Sequence, residues 1–274
     1  MISHLLIPTD FSSSATDVID HLDVFYQLGA RQLTLLHVRH VSQPTTDSMA
    51  NSEYCEPKLE KLAGQLRELG WKVDPMTTQG RPATGIVAVA DELDVDLIVL
   101  ANNGHSAASE VLLGSVSAEV LERCSKPVYL YSSSTDEPLT IDQPILHPTD
   151  FSAGCEAAED WVKQLVGNGA RDVLLLHVLE PNEIEESMAQ ISLKRLRGQL
   201  LAAGADTVET RIIEGRPKKV VRETVVANPD HFVVMGSQGR GWLGDLMFGG
   251  VARMVARLDT HHVLFAPDLS EGSP

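Results

Sequence analysis

The chain has 274 residues, of which 43% are hydrophobic and 22% charged: enough for two ordinary domains, and too apolar for a disordered polymer. Its formal net charge of −16 argues against nucleic acid as a partner, because a phosphate backbone needs a basic footprint. No apolar run reaches the ~18 residues of a membrane span, the opening MISHLLIPTD lacks the basic start of a signal peptide, and the three cysteines share no metal-ligand or CxxC spacing; a cytoplasmic protein with free thiols and no membrane partner is expected.

His4–Pro8 is a short, nearly continuous apolar run of the kind that forms a buried parallel strand, and it ends in Thr9-Asp10. A helical stretch over Ser12–Gly29 follows, then a second strand over Leu33–Val38. Glu56–Gly70 places Leu59, Leu62, Ala63, Leu66 and Leu69 on one helical face and stops at glycine. Lys72–Thr78 is a weaker strand, and Pro75 assigns it to a sheet edge. A helix over Pro82–Leu93, a strand over Val95–Leu100, a helix over Ser115–Cys124 and a strand over Pro127–Tyr131 complete the unit.

The unit then repeats. LLIPTDFSSSA at 5–15 returns as ILHPTDFSAGC at 145–155, and LTLLHV at 33–38 as VLLLHV at 173–178, both at an offset of 140. QGRP at 79–82 and EGRP at 214–217, then ANNG at 101–104 and GSQG at 236–239, keep order at an offset of 135. A period of this size is a duplicated domain and not a solenoid. The predicted domains are 1–132 and 144–274, joined by a polar linker at 133–143, with second-copy helices near Ser152–Gly169, Glu183–Gly204, Pro217–Asn228 and Gly250–Leu258. Alternating strands and helices predict an α/β fold: two tandem five-stranded parallel sheets, Rossmann-like, with helices on both faces. The terminal strands Val128–Tyr131 and Val263–Ala266 would leave apolar edges open, so the halves are expected to pair through them.

Ligands of open parallel sheets bind at the carboxyl ends of the strands. Asp10 and Asp150 follow the first strand of each copy, where a carboxylate can accept from a ribose hydroxyl or a base amine; Ser12 and Ser152 stand where serine caps a helix. After the fourth strand, copy one reads Ala101-x-x-Gly104, nine residues, Gly114-Ser115, and copy two Gly236-x-x-Gly239, nine residues, Gly249-Gly250. Glycines there let the backbone approach an anion, and the helix that follows offers N–H groups to a phosphate. Arg81 and Arg216, in the Gly-Arg-Pro elements, read as solvated; His37 and His177 read as hydrogen-bonded strand-end histidines. P-loop, Rossmann-dehydrogenase and Gly-x-Ser-x-Gly signatures are absent, and no metal set or catalytic constellation for efficient turnover is visible.

On the PTDFS start, the LLHV strand, the Gly-x-Pro element and the DLIVLANNG and HFVVMGSQG strands, the chain resembles the universal stress protein family over nearly its whole length, twice. The resemblance implies adenine at the ends of strands one and two (Asp10 and Val38, or Asp150 and Val178), with ribose and phosphates on the glycine motif, Gly104, Gly114 and Ser115 or Gly236, Gly239, Gly249 and Gly250. It also implies pairing through the last strand, within the tandem chain or as a homodimer. Ala101 departs from the first glycine of the motif and Gly250 from its Ser/Thr. Copy two carries Arg240 after Gly239, and residues 141–274 hold thirteen Lys+Arg against nineteen Asp+Glu, where 1–140 hold nine against nineteen. Copy two is therefore expected to be the better site. The expected function is a non-enzymatic stress-response protein binding ATP or another adenine nucleotide, alone or with Mg, as a regulatory ligand. The alternative is a scaffold with decayed sites that acts through protein partners.

Overall fold

The computed structural model describes residues 2–39, 47–102, 113–132, 134–135, 138–180, 186–239 and 248–267, with backbone alone for 20 and 47–54. The strands are β1 (His4–Pro8), β2 (Gln32–Arg39), β3 (Lys72–Gln79), β4 (Leu97–Ala101) and β5 (Val128–Tyr131), then β6 (Ile145–Pro148), β7 (Asp172–Leu179), β8 (Thr207–Glu214), β9 (Phe232–Gly236) and β10 (Val263–Ala266). All neighbours within a half are parallel, in the order β3-β2-β1-β4-β5 and, reversed, β10-β9-β6-β7-β8. β5 lies antiparallel on β10, with Tyr129 opposite Leu264, which makes one ten-stranded sheet edged by β3 and β8.

The helices are α1 (Ser13–Asp17), α2 (Asp23–Gln27), α3 (Asp47–Glu68), α4 (Pro82–Glu92), α5 (Ser115–Arg123), α6 (Ala153–Asn168), α7 (Glu186–Ala203), α8 (Pro217–Ala227) and α9 (Gly250–Ala256). One face of the sheet packs under α2, α3, α6 and α7, through Phe25, Leu66, Val162 and Leu196; the other under α4, α5, α8 and α9, through Ile86, Val120, Val225 and Val255. Each layer draws residues from both halves, so the duplicated units share their cores. Side chains buried to this degree contribute roughly 1.5–3 kcal/mol each.

Several boundaries differ from the sequence reading, three of them with a clear reason or consequence. The single helix expected over Ser12–Gly29 is split into α1, a 3-10 turn at Val18–His21, and α2. Its middle, Thr16-Asp17-Val18-Ile19, has weak helix formers where α6 has Glu156-Ala157-Ala158-Glu159, and α6 runs unbroken. Helix α3 starts at Asp47 rather than Glu56 and takes Pro57 inside it; the polar residues ahead of Pro57 carry no apolar stripe from which that start could be read. Helix α9 ends at Ala256, short of Leu258.

The start of the segment expected as a linker is tied into the junction. Ser134 Oγ donates to Asp259 Oδ2 at 3.1 Å, Thr135 Oγ1 lies 3.1 Å from His262 Nε2, and Leu139 is buried. Just before it, Ser132 Oγ donates to the Asp259 carbonyl at 2.9 Å. Asn102 Nδ2 donates to Asp259 Oδ1 at 2.6 Å, and Arg253 pairs with Glu122 across the halves at 2.9 Å.

Candidate functional site

The strand order reverses between β1 and β4 and between β6 and β9, and the chains leaving those strands separate there to open a crevice. Each crevice begins with the same turn. Phe151 has φ 56 and Phe11 has φ 63, left-handed conformations that cost a non-glycine residue roughly 1–3 kcal/mol and persist where the surroundings over-determine them. The surroundings here are specific. Thr149 Oγ1 accepts from Phe151 N at 3.1 Å, and the Phe151 ring stacks on His177 at 5.0 Å. His177 Nδ1 lies 2.8 Å from the Thr149 carbonyl, which can only accept, so Nδ1 carries the proton. Thr9, Phe11 and His37 repeat the arrangement in the first half. The paired histidines therefore brace the turn that presents Asp10 and Asp150.

The two aspartates are set differently. Asp150 Oδ1 accepts from Ser152 N at 3.0 Å, Ser152 Oγ at 2.5 Å and Cys155 Sγ at 3.2 Å. Burial pushes the Cys155 thiol up to about 12, which keeps it protonated and able to donate. Ser152 thus holds the aspartate and makes no side-chain cap on α6, whereas Ser12 caps α1 by accepting from Ala15 N at 3.3 Å. Asp10 is exposed and takes Ser12 N at 2.9 Å.

Above the second-half turn lies a cavity of about 640 Å³. Asp150, His177 and Val178 line it, and Met235 and Phe248 add apolar surface. Gly236, Gly239, Gly249 and Gly250 line it too, as do Arg216 and Lys218 at the start of α8, with the Lys218 head against Gly250. A Cβ on Gly239 would stand 2.6 Å from Asp150 Oδ2, so a side chain there would force the carboxylate out of its place. Gly236 is a glycine for another reason: its Cβ would run into the Gly154 carbonyl oxygen, so it sets how tightly α6 packs on β9. Gly249 N donates to the Ser237 carbonyl at 2.7 Å, which closes the loop and removes that N–H from the set open to a ligand. Helix α9 has only seven residues, so a cation matters more here than a helix dipole.

The structure therefore brings Asp150, Val178, Gly236, Gly239, Gly249 and Gly250 together around one cavity. Gly104 and Arg240 lie outside the described residues. In the first half Val38 packs within 3.0 Å of where a Gly85 Cβ would be, and Gly114 and Ser115 open α5, with Gly114 N bonded to the Asn102 carbonyl at 2.8 Å. Ser117 Oγ donates to the Ala101 carbonyl at 2.8 Å. Arg216, read as solvated, lines the cavity while remaining exposed. Sequence reasoning missed Lys218 and Cys155; the signal for Lys218 was its place directly after Gly-Arg-Pro, where the first half has Ala83.

The sequence profile described as the universal stress protein family matches residues 1–132 and again 143–267. The chain belongs to the universal stress protein family. It is 29% identical over 151 residues to a universal stress protein of Methanocaldococcus jannaschii, a match covering 47% of this chain and 93% of that protein. A universal stress protein of Mycolicibacterium smegmatis is 27% identical over 179 residues, covering 61% of this chain and 60% of its own length. The crystal structure of a universal stress protein from Archaeoglobus fulgidus superposes with a TM-score of 0.79 over 97% of this chain and 98% of that one. At 24% identity that likeness speaks to the fold, a sheet flanked by helices and built twice.

Proposed function

We propose that this universal stress protein holds an adenine nucleotide, ATP foremost, in the cavity of its second half as a regulatory ligand in a stress response. The observation that carries the reading is the crossing of Gly239 over Asp150 at the mouth of that cavity, with Lys218 and Arg216 beside it. A carboxylate held in place by Ser152 and Cys155 is a rigid acceptor for a ribose hydroxyl or base amine. The apolar surface of Val178, Met235 and Phe248 suits a flat base, and the two cations suit its phosphates. Mg, where present, would be carried by the triphosphate.

With Asp150 Oδ1 already taken by three donors, the carboxylate is built to hold a ligand in place, and we read the ligand as retained rather than turned over. The first half has Ala101 in place of Gly236 and Ala83 in place of Lys218, and is read as the weaker site. The test is to purify the chain gently, denature it and chromatograph what is released. Adenine nucleotide in stoichiometric amount supports the reading; a blank, joined to a failure to bind added ATP, supports the scaffold alternative.

A further inference from the structure

The duplication makes two pairs of positions directly comparable. The residue that opens the last helix of each half is Ser115 in the first and Gly250 in the second; the residue after the proline of the Gly-Arg-Pro element is Ala83 in the first and Lys218 in the second. In the second half the two positions meet. A Cβ built on Gly250 would lie 2.7 Å from Lys218 Cε and 2.9 Å from its Nζ, so the lysine head lies directly against the glycine that opens α9, at the end of a flexible stem that can move aside. In the first half a side chain does stand there, on Ser115, and Ala83 is buried and ends at its methyl group. Among the described residues no ion pair engages Lys218, although its neighbour Lys219 pairs with Glu223.

We propose that Lys218 is a specificity-determining residue of the second-half site: it puts a positive charge where the first half has a hydroxyl, and so favours ligands with longer, more highly charged phosphate chains. The proposal rests on the nucleotide reading above. An ammonium is a compact charge whose attraction for phosphate grows with the charge it faces, whereas a hydroxyl is neutral and discriminates little between one phosphate and three. Its four-carbon stem comes from α8, not from the glycine turn, so the cavity keeps the close backbone approach at Gly250 and gains the charge from the side.

The experiment is a calorimetric titration of the full chain, as wild type, Lys218→Ala, Gly250→Ser and the double variant, with ATP, ADP, AMP and adenosine. Lys218→Ala should weaken ATP by at least about tenfold, as for loss of a charge-assisted contact, weaken AMP less and leave adenosine unchanged. Gly250→Ser, which the flexible lysine head can accommodate by moving aside, should cost ATP less than Lys218→Ala does, and cost little in the Lys218→Ala background. Lys218 is exposed on α8, so thermal melting should be unchanged and the affinities directly comparable. Equal weakening of all four ligands, or unaltered ATP affinity in Lys218→Ala, would overturn this proposal and leave the nucleotide reading standing. A wild type that binds none of the four overturns both.

Discussion

His147, on β6, occupies the position that Ile7 holds in β1 and is fully buried. Its Nδ1 lies 2.7 Å from the Val234 carbonyl and donates to it, while Nε2 has no partner among the described residues. Burial pushes its pKa down to about 4, with the Val234 bond and Asp150 acting to raise it and Lys163 to lower it. The folded value lies below the unfolded one of about 6.5, so this stability is complete above pH ~6.5 and lost as pH falls through about 4. At ~1.4 kcal/mol per unit, the loss by pH ~4.5 comes to about 2.5 kcal/mol, a large share of the roughly 5–15 kcal/mol of a typical domain. His4, His231 and His261, also held down by burial, add to the loss in the same direction. Denaturant unfolding of wild type and His147→Ile between neutral pH and pH ~4.5 isolates the one residue. At neutral pH the variant should lie within about 1 kcal/mol of wild type, since one hydrogen bond and one unpartnered nitrogen are removed together. On acidification it should lose about 2.5 kcal/mol less. Parallel losses in the two proteins would refute the reasoning.

Four other substitutions probe packing and the junction. Gly236→Ala drives a methyl group into the Gly154 carbonyl, must push α6 off β9, and should cost about 1–3 kcal/mol by denaturant unfolding; Ala101→Gly, at the matched position, should cost less than about 1 kcal/mol. Asp259→Ala removes the side-chain bonds to Asn102 and Ser134 and leaves alanine at φ 45, so it should lower stability by about 1–3 kcal/mol. The half-exposed pair of Arg253 and Glu122 should contribute under about 1 kcal/mol when Arg253→Ala is measured the same way.

The strands were legible because buried parallel strands are apolar runs, and because the chain writes each of them twice. Helix continuity was harder to read: the Ser12–Gly29 stretch carries enough apolar residues for a helix, yet its centre lacks the propensity to stay one. At the site, the turn residues Asp150 and Gly239 could be found from spacing, but their direct crossing could not. Gly236 showed the limit most clearly, since spacing alone cannot separate a glycine that admits a ligand from one that admits a neighbouring helix. Lys218 comes to the cavity from a segment far from Asp150 in the chain, and no local motif announces a residue whose role depends on where another helix begins; Cys155 stands five residues after Asp150, but nothing in a thiol at that spacing marks it as a donor to the carboxylate. The capping roles of Ser12 and Ser152 diverged for a similar reason, because a serine hydroxyl takes whichever acceptor or donor the local backbone presents.

The central claim is that the second-half cavity holds adenine nucleotide through Asp150 and the glycine crossing above it. Titration calorimetry with ATP on wild type, Asp150→Ala, Gly239→Val and Asp10→Ala tests it most directly. Gly239→Val places branched carbon against Asp150 Oδ2 and should abolish most binding; Asp150→Ala should weaken it, and Asp10→Ala should weaken it less. Binding that survives in Gly239→Val and Asp150→Ala but disappears in Asp10→Ala would contradict the account and move the nucleotide to the first half.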